Sequence, residues 1–284
     1  MERDLGSIAN QPELQRIIRK CLEKERDHRY ATTQDLLVDF PFVHLAADPD
    51  TEYLSDGITE SIINNLSQLP KLRVMARSSV FRYKNRDADP QTAGRELNVG
   101  AILTGRVLQR GDTLVIASEL VDVANGWQLW GEQYNRKMAD IFTIQEGIAK
   151  KISAKLKLRL SGEEKKKLAK RYTENTEAYR SYLKGRYYWN RRTPEDLIKS
   201  VDCFQKAVQQ DPLYAAAYAG LSDAYAISGD LGLDVASSFV KARAAATRAL
   251  ELDDSLAEAH TSMAHLHMHG YQWQEAERAF QTAV

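Results

Sequence analysis

The chain holds only two cysteines, Cys21 and Cys203, in 284 residues. They are far apart and each falls in a helical pattern, which argues against a disulfide framework and for free thiols in a reducing compartment. No apolar run approaches the ~18 residues that a membrane helix requires, and mean hydropathy is −0.48. No membrane span is expected. Met1-Glu2-Arg3-Asp4 has neither the basic start nor the apolar stretch of a signal peptide, so a cytoplasmic chain is expected. Charge of one sign is also missing, with 39 basic against 39 acidic residues. That balance argues against a generic polyanion binder, and nucleic acid is not an expected partner. No Ser/His/Asp, Cys/His or paired-carboxylate arrangement has supporting local context. The expectation is therefore no enzyme, no catalytic residue, no cofactor and no metal.

What is present is a repeat. Tyr218, Leu221, Ser222 and Tyr225 share a helical face, and Ala242, Ala246 and Ala249 follow on a second helix closed by Asp253 and Asp254. The cycle restarts with His260, Met263, Ala264 and His267, then Ala276, Phe280 and Ala283. An earlier copy reads Gly185, Tyr188, Ser200, Phe204, Ala207 and Pro212. This pattern of large and small residues marks a helical hairpin with a period of ~34 residues. Such hairpins cannot bury their faces alone and stack into a solenoid with a concave surface. The spacing from Tyr218 to His260 is longer than that period, and the surplus is assigned to an enlarged turn at Ser228–Asp234.

Upstream, Leu14, Ile17, Ile18, Cys21 and Leu22 form one helical stripe, and a second short helix is predicted over Thr33–Phe40. Ser55–Gln68 reads as a helix through Ile58, Ile62, Leu66 and the following Leu69, with Ser55-Asp56-Gly57 as its cap. A short strand is predicted at Leu72–Ala76 and a helix at Thr92–Leu97. Three strands at about 101–109, 113–122 and 127–134 are joined by turns at Gly111-Asp112 and Asn125-Gly126. Trp127, Leu129 and Trp130 are read as core or edge-covering residues. Asp140 caps a helix carrying Ile141, Ile144, Ile148, Ile152 and Leu156. The basic stretch 149–171 is read as a solvated helix face linking two domains, since no aromatics interleave its lysines.

The run Leu14-Gln-Arg-Ile-Ile-Arg-Lys-Cys-Leu-Glu-Lys-Glu-Arg-Asp-His-Arg-Tyr30 resembles the C-terminal end of a bacterial serine/threonine kinase. The glycine-rich loop, strand lysine, His-Arg-Asp loop and Asp-Phe-Gly site of such kinases are all absent. Residues 41–160 resemble the TolB-amino-terminal-like (FlgO-like) module of bacterial sensory proteins. The resemblance rests on Pro41-Phe42, the stretch Asp48 to Glu60, Leu72 to Ser79, Gly94-Arg95-Glu96-Leu97, Leu103 to Val107 and Leu129 to Tyr134. That family opens with a buried strand just before Pro-Phe. Here the kinase-like helix runs into Pro41, so the opening strand is expected to be missing or replaced, as in a truncated member. Residues 176–284 resemble tetratricopeptide repeats, with an array expected to continue beyond Val284.

Together these imply an α/β unit (a small mixed sheet with flanking helices) followed by an all-α tetratricopeptide-type solenoid. The expected division is a kinase-lobe remnant over 1–40, the α/β domain over 41–160, a basic linker over 161–175 and about three repeats over 176–284. In the tetratricopeptide register, the concave positions fall on Tyr179, Tyr182, Arg186, Trp189 and Asn190, then Asp223, then His265, Met268 and His269. Aromatics and an arginine in a groove suit a protein or peptide partner. His265 and His269 are spaced like two zinc ligands, but the sequence offers no evident third. The implied role is a non-catalytic binding or sensory scaffold of a bacterial signalling protein. The alternatives are the regulatory tail of a kinase and a transcription-regulator adaptor.

Overall fold

The computed structural model describes residues 36–39, 42–44, 51–69, 72–84, 89–156, 160–162 and 173–283. Its first unit is built on a mixed sheet. The strands are β1 (Leu36–Asp39), β2 (Val43–His44), β3 (Arg73–Val74), β4 (Ala101–Arg110), β5 (Thr113–Asp122) and β6 (Gln128–Lys137). Their order is β3-β1-β4-β5-β6, with β2 continuing along the edge of β4 beside β1. β1 runs parallel to β3 and β4, whereas β4, β5 and β6 form an antiparallel meander. The meander is local because its turns are: Gly111 and Gly126 sit at φ +58° and +74°, which side chains with a Cβ rarely adopt. Leu114, Ile116 and Leu120 alternate onto the covered face and are fully buried.

Two sequence expectations are corrected here. Leu36–Asp39, read as part of a helix over Thr33–Phe40, is strand β1, so the opening strand is supplied by Leu37-Val38-Asp39. Three apolar residues followed by Asp39 fit either element, and the parallel partners Ala101, Ile102 and Leu103 decide it. Helix α1 spans Glu52–Ser67, so Ser55-Asp56-Gly57 lies inside the helix and not at its cap. Ser55 Oγ instead donates back to the Glu52 carbonyl at 2.8 Å. The kinase-like stretch and most of the basic linker lie outside the described residues.

Helix α1 is buried on nearly every side. Leu54, Ile58, Ile62 and Leu66 face the sheet with no exposure, and Thr59 Oγ1 accepts the Phe42 amide at 2.9 Å. Short helix α2 (Arg77–Val80) and α3 (Pro90–Glu96) flank the sheet edge, α3 being capped by the Asp89 carboxylate on the Thr92 amide. Helix α4 (Ile141–Lys155) packs beside α1 and buries Ile141, Ile144, Ile148 and Ile152 as its spacing predicts.

From residue 173 onward the described residues form three antiparallel hairpins: α5 (Thr176–Arg191) with α6 (Pro194–Gln210), α7 (Ala215–Asp230) with α8 (Val235–Leu252), and α9 (Ala257–His269) with α10 (Trp273–Thr282). Asn175 caps α5, and Thr193 caps α6, with Pro194 at its first position. The small residues of the repeat are where helices approach. Cβ atoms at Gly185 and Gly220 would fall 2.7 and 2.5 Å from the fully buried Phe204 ring, so Phe204 locks α6 against both α5 and α7. Ala242, Ala246 and Ala249 are likewise fully buried on α8. The turn after α7 is shorter than expected, since α7 runs on to Asp230 and only residues 231–234 reverse the chain, with Gly232 and Asp234 at positive φ. The two units share one core: Leu54, Ile58 and Ile144 belong to the same apolar cluster as Ala178, Tyr179, Leu183 and Tyr214.

Candidate interaction groove

Helix α1 crosses α5, the first helix of the hairpin stack, at close range. A Cβ on Gly57 would lie 2.7 Å from Leu183 Cδ2, and this absence of a side chain lets the helices meet. On either side of that contact the helices exchange polar groups. Tyr187 donates to Glu52 Oε2 at 2.8 Å, and Arg180 reaches the Tyr53 hydroxyl at 3.4 Å. At the centre, Glu60 takes both Nε (2.9 Å) and Nη2 (2.6 Å) of Arg186 on Oε1. Its other oxygen faces Arg77 Nε at 3.1 Å and Asn190 Nδ2 at 3.4 Å.

The electrostatics follow from that geometry. Burial pushes the Glu60 carboxyl up, but the Arg186 and Arg77 guanidiniums outweigh it and hold Glu60 below the usual range. Arg186 is held in its charged form although burial opposes this, because Glu60 faces it. Asp56, one turn earlier on α1, goes the other way. Burial raises its carboxyl even with Lys84 Nζ at 2.6 Å.

The expected groove residues therefore divide. Tyr179 and Tyr182 stack at 6.4 Å; Tyr179 is buried and bonded to Gln145 on α4, and Tyr182 packs on Phe204 and Tyr214. Arg186 and Asn190 are engaged by Glu60. Asp223 lies 3.7 Å from Arg186 Nη1 and accepts from Ser262 Oγ at 2.5 Å, which links α5, α7 and α9. Trp189 is half-buried under the Arg186 and Arg192 guanidiniums at 4.6 and 3.7 Å, and its indole N–H is buried without a hydrogen-bond partner among the described residues. Met268 is 40% exposed. A cavity of ≈ 90 Å³ lies between α1 and the hairpins, lined by Glu60, Gln145, Tyr182, Arg186 and Glu258. It has room for a few water molecules and is well short of the ~300 Å³ of a small-molecule pocket.

Sequence reasoning missed two participants. Glu60 was unmarked because an acidic residue at this position of an amphipathic helix is ordinarily solvent-facing. Asp230 was read as part of a loop, yet its carboxylate meets His269 Nε2 at 2.9 Å and His265 Nε2 at 3.5 Å. The third potential ligand absent from the sequence reading is thus supplied by the neighbouring helix. One smaller expectation is corrected. Trp127 and Leu129 are exposed, at 73% and 36%, whereas Trp130 is buried as expected. Cys203 is a half-buried free thiol.

No family model matches this chain. A protein of Rhizobium meliloti (strain 1021) named putative adenylate cyclase 3 is 32% identical to it over 182 residues, 64% of this chain and 31% of that protein. The chain thus spans about a third of that relative's length. This relative corrects the expectation that the chain is no enzyme, because a protein 32% identical to it over 64% of its length carries the name of a putative enzyme. The missing kinase motifs excluded a single phosphoryl-transfer machinery, not catalysis in general. Structures similar to the α/β part include TolB from Acinetobacter baumannii (16% identity, 43% of this chain and 28% of that one, TM-score 0.33). Lipoprotein GNA1162 from Neisseria meningitidis is another (17%, 42% and 96%, TM-score 0.33), as is the LpoB C-terminal domain from Escherichia coli (12%, 43% and 94%, TM-score 0.30). TolB-like and lipoprotein domains are thus among the neighbours, and likenesses this slight carry nothing about activity. Among the described residues, no helix is long and apolar enough to cross a membrane.

Proposed function

We propose that this chain is a protein-binding segment of a longer signalling enzyme, in which a TolB-amino-terminal-like unit is clamped to the first of three tetratricopeptide-type repeats. A parent of the nucleotide-cyclase kind is supported by the relative named putative adenylate cyclase 3. The observation that carries the binding role is the Glu60–Arg186 contact. It gives the first repeat's concave face to α1 of the same chain and leaves Trp189, Asp223, His265, Met268 and His269 as the wall a peptide would meet. Trp189 is the natural anchor, being a large ring held by two guanidiniums with an unpartnered N–H.

The test is capture of partners by the chain and by its Trp189→Ala/Met268→Ala variant. Loss of an anchor of this kind costs on the order of 2 kcal/mol, ~30-fold in affinity. A partner bound by the native chain and lost with the variant supports the groove, and equal recovery rejects it. Arg186 is unsuited as a probe because removing it strands Glu60. The enzyme half is tested by assaying the full-length protein for cyclic AMP formation from ATP.

A further inference from the structure

We propose that Asp230, His265 and His269 form a divalent transition-metal site that ties the second hairpin to the third. Asp230 ends α7, and the two histidines lie one turn apart on α9. Their ligand atoms converge: His269 Nε2 is 2.9 Å from Asp230 Oδ1, His265 Nε2 is 3.5 Å from Asp230 Oδ2, and the two Nε2 atoms are 3.1 Å apart. An ion bound at ~2.0–2.1 Å by tetrahedrally placed nitrogen and oxygen ligands has ligand-to-ligand edges of about 3.3 Å. The His265–His269 and His269–Oδ1 separations lie just below that length, the 3.5 Å from His265 is to the other carboxylate oxygen, and one ligand atom from each of the three residues falls within 4.8 Å of the other two.

The direct hydrogen-bonding alternative is poorer. Two imidazole Nε2 atoms facing each other can share only one proton, and both also face the same carboxylate. A cation would engage all three at once. Two features hold the arrangement in place. The His269 ring packs on Phe239 of α8 at 4.6 Å, and Asp223, two turns before Asp230 on the same face of α7, adds negative charge within reach of His265. The Arg192 charge reaches Asp230 and opposes the ion. With 26–39% of each side chain exposed, the ion reaches the site from solvent without unfolding. An all-nitrogen-and-oxygen donor set suits Zn²⁺, Co²⁺ or Ni²⁺ and not a soft monovalent ion. Three protein ligands leave a coordination position for water or for a side chain of a bound partner.

Zn²⁺ titrated into the purified full chain by calorimetry, with Co²⁺ absorption as an independent readout, tests this. The native chain is expected to take up one ion. Affinity should fall by more than ~100-fold in His265→Ala/His269→Ala and also in Asp230→Asn, since losing even an outer-shell partner costs ~10–100-fold. The His260→Ala/His267→Ala variant should bind as the native chain does, because those rings turn to Asp254 and Gln272. Asp230→Asn is on a different helix and guards against a folding defect on α9. No uptake by the native chain, or equal uptake by the Asp230 and His265/His269 variants, would overturn the site.

Discussion

Arg186 and Glu60 stand 126 positions apart in the sequence and 2.6 Å apart in the fold, both largely buried. Within its own unit each charge has one partner, Arg77 for Glu60 at 3.1 Å and Asp223 for Arg186 at 3.7 Å, and the contact between the units completes both sets. Removing one partner while the units stay docked would leave the other charge buried with its pairing incomplete, whereas burying the pair costs both ions their hydration. The contact therefore sets the relative placement of the two units more than it adds net stability.

Gly57 is the steric condition for that placement. A Gly57→Leu substitution forces a branched side chain into the space held by Leu183, and overpacking of this kind costs about 1–3 kcal/mol. The expected result is faster proteolysis between α4 and α5 with helix content retained. Unchanged proteolysis would mean that α1 and α5 have slack the structure does not show.

Phe204 is the corresponding keystone of the hairpins. Its ring is fully buried between Gly185 and Gly220, so Phe204→Ala opens a cavity bounded by two bare backbones that no side chain can fill. A loss of about 3–5 kcal/mol is expected in chemical denaturation, with the helical signal of the hairpins melting first.

The pH response of α1 has two opposed parts. Glu60 is depressed in the fold, so its contribution is present above the unfolded carboxylate value of ~4.3 and is lost as pH falls through its lower folded value. Asp56 is raised, so its contribution is present below ~3.9 and is lost as pH rises through its folded value. Asp56→Asn is therefore expected to be at least as stable as the native chain at pH 7, despite losing the Lys84 ion pair, and less favoured near pH 3. Melting temperatures across that range decide it. A destabilised Asp56→Asn chain at pH 7 would show that Lys84 outweighs burial.

Elements whose causes are local were legible in the sequence. The β4–β5–β6 meander follows from two glycine turns, and the hairpins follow from the alternation of small and bulky residues around Phe204. What escaped was set by partners distant in sequence. Leu36–Asp39 has no strand signature beyond four residues, and its parallel neighbours come from β3 and β4. Glu60 looks solvent-facing until α5 is placed over it. Asp230 looks like loop until α9 brings His265 and His269 beside it. The helical hairpins were readable, but not that α1 packs against the first of their helices.

The docking of α1 on α5 is tested most directly by a double-mutant cycle of Glu60→Ala and Arg186→Ala, using unfolding free energies of the full chain. Each single change should cost about 3–5 kcal/mol, and the pair should be coupled by about 1–3 kcal/mol, the double variant being less damaged than the sum. Additive losses, within about 0.5 kcal/mol, would mean that the two residues do not meet and that the α/β unit does not close the first repeat.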